Sequence, residues 1–216
     1  MMSFKQFLKE QEQTINHAKQ IVARLKNIDP FEAMERSKRF KHSVARHLFG
    51  DSYFEEHFGS FESGVAYTLK HERKRYSDYF KDKIDTVSEN LLNNSEHNEN
   101  GQLVLNRILH EKPGGPNVPD EVNRRESNKE SQGKHWTWAK GAKGGFHIYA
   151  PSSGHGEHKS YIMTGHLPSV EHVNLYGTFR AWTRPQFTDE SEIELHPTAR
   201  LNGLKIEQYK QISPSQ

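Results

Sequence analysis

Asn93-Asn94-Ser95-Glu96-His97-Asn98-Glu99-Asn100-Gly101 carries no apolar residue and ends in glycine, so it has nothing to offer a core and reads as a loop or linker. It divides the 216-residue chain into two regimes. Before it, apolar residues recur at helical spacing; after it, they fall into short β-type runs separated by glycine and proline. Helices followed by strands predict an α+β fold, with a helical region over 1–95 that packs on or caps a mixed, mostly antiparallel sheet over 101–216.

Upstream of the divide, Ser3 reads as the N-cap of an amphipathic helix bearing Phe4, Phe7, Leu8, Ile15, Ala18, Ile21, Val22 and Leu25. Asp29-Pro30 sets a capping acid before a proline in the first turn, and Phe31, Met34, Val44, Ala45 and Leu48 carry that apolar stripe to Gly50. From Phe61 to Leu92, the positions Val65, Leu69, Tyr76, Phe80, Ile84, Val87 and Leu91 predict one or two helices, with a break near Ser77-Asp78. Downstream, the strand candidates are Leu103-Val104-Leu105, Phe146-His147-Ile148-Tyr149, Tyr161-Ile162-Met163-Thr164 and the run around Ile206. The polar stretch between Glu111 and Gly133 reads as one long loop, a length that marks disorder or function. Pro151 to His158 reads as a second flexible segment.

Composition excludes several chemistries. With no cysteine there are no disulfides, thiol nucleophiles or cysteine-type zinc sites, which agrees with a reducing compartment. No apolar run approaches a membrane span and no signal-peptide core follows Met1; the expectation is a soluble cytoplasmic protein without a membrane partner. The formal charge of +2 is too small to argue for nucleic acid by itself, and 14 histidines make the true charge depend on pH near neutrality. Arg36-Ser37-Lys38-Arg39-Phe40-Lys41-His42 and Lys70-His71-Glu72-Arg73-Lys74-Arg75 are locally basic. They read either as a solvated helix face or as a grip on nucleic acid or an acidic protein.

Three stretches carry candidate chemistry. In Phe187-Thr188-Asp189-Glu190-Ser191-Glu192-Ile193-Glu194-Leu195-His196-Pro197 the extended alternation turns Glu190, Glu192 and Glu194 to one face. Such a row suits a solvated edge strand or a site that stabilises a developing cation. Arg107 interrupts an apolar run, where its planar fork fits phosphate. Trp136-Thr137-Trp138 sets two of the three tryptophans around a threonine, with one ring expected in the core and the other bordering a pocket where it stacks on a planar ligand. Phe146 and Tyr149 offer further rings, with core packing the simpler role. His155-Gly156-Glu157-His158, with His147 and His166, lacks the helical spacing of a zinc site, so no metal is expected.

If Arg107, Thr137 and Glu192 belong to three strands of one sheet and converge on one dinucleotide-sized cleft, they supply a phosphate-pairing cation, a hydroxyl and a carboxylate, the groups needed to cleave a nicotinamide N-glycosidic bond. Leu105-Asn106-Arg107-Ile108-Leu109-His110, His135-Trp136-Thr137-Trp138 and Asp189-Glu190-Ser191-Glu192-Ile193 resemble, in order and spacing, the Arg, Ser/Thr and Glu-x-Glu series of mono-ADP-ribosyltransferases of the Arg-Ser-Glu class, phage-type members included. The resemblance spans about 101–210. It implies an ADP-ribosyltransferase-like core using NAD as co-substrate, and a macromolecular acceptor, a host protein first and nucleic acid second. Arg107 would contact the NAD phosphate or adjoining ribose, and Thr137, with Trp138 beside it, would hold the nicotinamide side. Glu192 would stabilise the ribosyl cation and Glu190 would act on the acceptor, with an arginine side chain the first expectation. Members often have Ser-Thr-Ser where this chain has Trp136-Thr137-Trp138, and a register one pair later would make Glu192 and Glu194 the functional couple. The reading from a different class is a non-enzymatic phage-type inhibitor or nucleic-acid-binding protein that works through its basic helices.

Overall fold

Each of the first three described helices starts where a side chain satisfies a free N–H group of its first turn. The structure, a computed structural model, describes residues 16–111, 114–139, 159–185 and 191–209. Helix α1 (His17–Lys26) is capped by Asn16, which accepts from Lys19 N at 3.0 Å. Helix α2 (Pro30–Glu35) is capped by Asp29, which accepts from Phe31 N at 2.9 Å. The stripe expected to run unbroken to Gly50 stops there, because Ser37 accepts from Phe40 N and starts a new helix, α3 (Lys38–Phe49). Helices α4 (Asp51–Phe58), α5 (Phe61–His71) and α6 (Arg73–Asn94) follow. The break expected near Ser77-Asp78 falls instead at Glu72, between α5 and α6. Ser3, Phe4, Phe7, Leu8 and Ile15 lie outside the described residues.

Helix α6 is the spine of this half. Tyr76, Phe80, Ile84, Val87 and Leu91 are all buried along it; burial of a large apolar side chain stabilises by about 1.5–3 kcal/mol.

The second half is a five-stranded sheet in the order β4-β2-β1-β3-β5, antiparallel at every pairing. The strands are β1 (Val104–His110), β2 (His135–Thr137), β3 (Ser160–His166), β4 (Glu192–Glu194) and β5 (Asn202–Tyr209). With eight helices among the described residues, the fold is α+β. The expected loop from Glu111 to Gly133 contains helix α7 (Val118–Ser127), capped by Asn117, with Pro119, Asp120 and Glu121 in its first turn. Helix α8 (Leu175–Thr183) lies against β4. The strand expected at Phe146-Tyr149 lies outside the described residues, as do His147, His155 and His158.

The two halves share one buried cluster that reaches from Ala18 to Leu201. Phe80 of α6 meets Phe179 of α8 with ring centroids 5.5 Å apart, and Tyr79 Oη donates to Thr183 O at 2.7 Å. No described helix is long and apolar enough to cross a membrane.

Candidate functional site

Register decides which side chains meet. Across β4, β2 and β1, Glu192 is opposite Thr137 and Thr137 is opposite Asn106; Thr164 of β3 and Lys205 of β5 extend the same row. Residues directly opposite in a sheet share a face, so one face carries a line of five polar side chains, one from each strand. Thr164 Oγ1 donates to Asn106 Oδ1 at 2.8 Å within it.

Arg107 is one residue on from Asn106 and so belongs to the reverse face, where its neighbour is Met163 and, beyond, Ile206. The sequence expectation that Arg107, Thr137 and Glu192 come from three strands holds, and those strands are adjacent. The expectation that all three converge on one cleft does not hold: Thr137 and Glu192 meet, and Arg107 points away from them. Its guanidinium instead donates to Gln132 O at 3.2 Å beneath α7.

Around Glu192 the polar network is dense. His135, two residues before Thr137 and so on its face, places Nδ1 at 2.5 Å from Glu192 Oε1. Trp182 Nε1 donates to the Glu192 carbonyl at 2.7 Å and fixes the strand to α8. Thr137 Oγ1 donates to Ser191 Oγ at 2.9 Å and accepts from Ala139 N at 3.1 Å. Glu192 keeps about a quarter of its side chain exposed, at 27%, enough for a ligand to reach it.

Glu194 has a different fate. Asn174 Nδ2 donates to its Oε1 at 2.8 Å, Thr178 Oγ1 accepts from its N at 3.0 Å, and its carboxylate rests on Gly177, where an added Cβ would come within 2.3–2.6 Å of it. The carboxylate therefore lies over the first turn of α8, where the helix end favours negative charge. Glu190, the other candidate partner of Glu192, lies outside the described residues.

Trp138 is not the exposed stacking ring expected of it. Positions two apart on a strand share a face, so Trp136 and Trp138 both turn to the apolar side and are buried, 2% and 5% exposed. Trp136 Nε1 donates to Gly133 O at 2.9 Å. Sequence reasoning missed His135, Asn174 and Trp182; His135 was within reach, since alternation puts it beside Thr137, whereas the other two depend on α8.

A nitrogen of His135 and carboxylate oxygens of Glu192 and Glu194 lie within 4.8 Å of one another. One imidazole and two carboxylates are a donor set that a divalent cation can use. The same set can stabilise an organic cation. Of the basic residues, Lys38 pairs with Glu62 and Lys41 with Glu35; Arg73 stacks on Phe31, and Arg75 stacks on Phe49 while bonding Leu48 O. With Arg36, which pairs with Glu32, five of the eight lysines and arginines in the two basic stretches are thus engaged within the chain.

No family model matches the chain, and no curated protein or solved structure matches it significantly.

Proposed function

We propose that the chain is a mono-ADP-ribosyltransferase with an ADP-ribosyltransferase-like core, which uses NAD to modify a macromolecular acceptor at the polar face of β4, β2 and β1. The observation that carries this reading is the direct pairing of Glu192 with Thr137, with β1 as the next strand. In the reaction the bond from ribose C1′ to the nicotinamide nitrogen breaks, its electron pair goes to the ring, and neutral nicotinamide leaves. Glu192, held by His135, accepts a hydrogen bond from a ribose hydroxyl and offsets the charge of the oxocarbenium-like sugar. The acceptor nucleophile, an arginine side chain first, then bonds C1′ and releases its proton. Glu190 keeps the acceptor role that the Glu-x-Glu resemblance implies. Arg107 is not carried over as the diphosphate clamp, since it occupies the reverse face.

Labelled NAD incubated with the protein and a host lysate is expected to label discrete acceptors. Glu192→Gln should lower that labelling by about 10²-fold or more, the scale of losing one preorganised electrostatic group. Equal labelling by the parent and the variant would remove Glu192 from the reaction.

A second reading has its own observation. A cavity of about 310 Å³ between α3 and α8 is lined by Arg39, Arg46, Arg180 and Arg184, with Ser37 and Ser43. This concentration of guanidinium groups suits a phosphate backbone. A binding-only protein would retard nucleic acid in a salt-dependent manner and leave NAD intact.

A further inference from the structure

Arg107 is a half-buried cation in need of an explanation. Burial first, and then the charge of Arg125, push its guanidinium below its ordinary value. Buried charges are normally paired, because the desolvation cost is otherwise large. Among the described residues, however, Arg107 has no carboxylate partner, and its one hydrogen bond goes to the neutral carbonyl of Gln132. The backbone makes room for it at Gly133. There φ is +94°, a region that side chains disfavour, and a Cβ would lie 1.4 Å from Arg107 Nη1.

The guanidinium opens on a cavity of about 370 Å³ between α7 and the reverse face of β1 and β3, within the range of small-molecule sites. Arg125, tethered to Glu121 at 2.8 Å, also borders it. Glu121, held by Arg125, is itself part of the wall, as are His110 and Gln132, and the rest is apolar, chiefly Leu109, Val118, Val122 and Met163. Val118 and Val122 lie one turn apart on α7, a helix with no buried residue of its own. Its apolar side thus lines the hollow, with Val122 alone reaching the margin of the core.

We propose that this cavity binds a small organic acid, with its carboxylate or phosphate on the Arg107 fork and its apolar body between Val118, Val122 and Met163. The occupant supplies the counter-charge that Arg107 lacks and the contacts that α7 lacks. Because the cavity is on the face opposite Glu192, the proposal does not rest on the transferase reading, and either can fail alone.

Titration of the full chain with benzoate, phenyl phosphate and benzyl alcohol, followed by ligand-observed NMR or calorimetry, tests it. At least one of the two acids is expected to bind saturably and the alcohol not to bind; the acid that binds identifies the anionic group. Arg107→Met should weaken acid binding by about 10- to 100-fold, the value of a charge-assisted hydrogen bond. It should leave Tm unchanged or higher, since an apolar isostere removes a half-buried charge that no carboxylate compensates. Val122→Trp, which fills the hollow from α7, should also abolish binding in a folded protein. The proposal is overturned if neither acid binds, if binding survives both substitutions, or if Arg107→Met lowers Tm, which would make the arginine a strut for Gln132. Loss of NAD cleavage in Arg107→Met would overturn it too, by placing the cavity inside the reaction.

Discussion

Glu192 and Glu194 stand two residues apart on one face, and their partners separate their roles. Glu194 is held by Asn174 and rests on Gly177, whereas Glu192 meets His135 and retains exposure. Gly177→Ala should therefore displace the Glu194 carboxylate, loosen α8 from β4 and lower Tm; an unchanged Tm would show that the carboxylate shifts without cost. Trp182→Phe removes the indole bond to the Glu192 carbonyl and should cost about 1–2 kcal/mol in a urea denaturation series. Dialysis against EDTA should leave nicotinamide release intact, because the proposed chemistry uses Glu192 as a bare carboxylate. Activity lost to EDTA and restored by zinc would assign His135, Glu192 and Glu194 to a metal instead. Alternation along one strand was legible from sequence, which is why the common face of Glu192 and Glu194 was foreseen. Relative facing between strands was not, because it depends on register, and a one-residue offset decides whether Arg107 or Asn106 stands opposite Thr137.

At the scale of elements, the helix announced by Asp29-Pro30 starts where expected, whereas the stripe behind it splits at Ser37 and the next break falls at Glu72. Asp29 does cap α2, and Asp29→Ala should cost about 1 kcal/mol. Phe80 joins α6 to Phe179 of α8 within the shared core, so Phe80→Ala should cost about 3–5 kcal/mol by transfer and cavity terms together. A cost under about 1 kcal/mol, within the range of ordinary surface substitutions, would mean that the two halves do not rely on this contact. Helix α7 escaped notice because Val118 and Val122 are its only aliphatic residues and prolines and glycines precede it. Its start was nonetheless written in Asn117, Pro119, Asp120 and Glu121, a cap followed by a first-turn proline and acids. Arg124 and Arg125 hold Glu121 in turn, drawing its carboxyl down to about 2.

Over the whole molecule, the compositional divide at Asn93–Gly101 marks a change of secondary structure and not a break in the core. His17 and His97 lie near that junction, and His97 bridges to Leu103. Burial first, with His97 second, depresses the proton affinity of His17; burial likewise depresses His97. The unfolded chain therefore takes up protons on these residues before the folded one does. Stability should be fully present above the unfolded value of about 6.5 and fall as pH drops through it. Thermal melts at pH 7.5 and 5.5 check this, with His17→Gln expected to flatten the difference; an undiminished pH dependence would place its origin elsewhere. The central claim concerns the two faces of the sheet, and the most direct measurement is nicotinamide release from NAD by the parent, Glu192→Gln, Thr137→Val and Arg107→Met side by side. Release should collapse in Glu192→Gln, drop in Thr137→Val and persist at the parent rate in Arg107→Met. Full release by Glu192→Gln, or no release by the parent, would contradict the account.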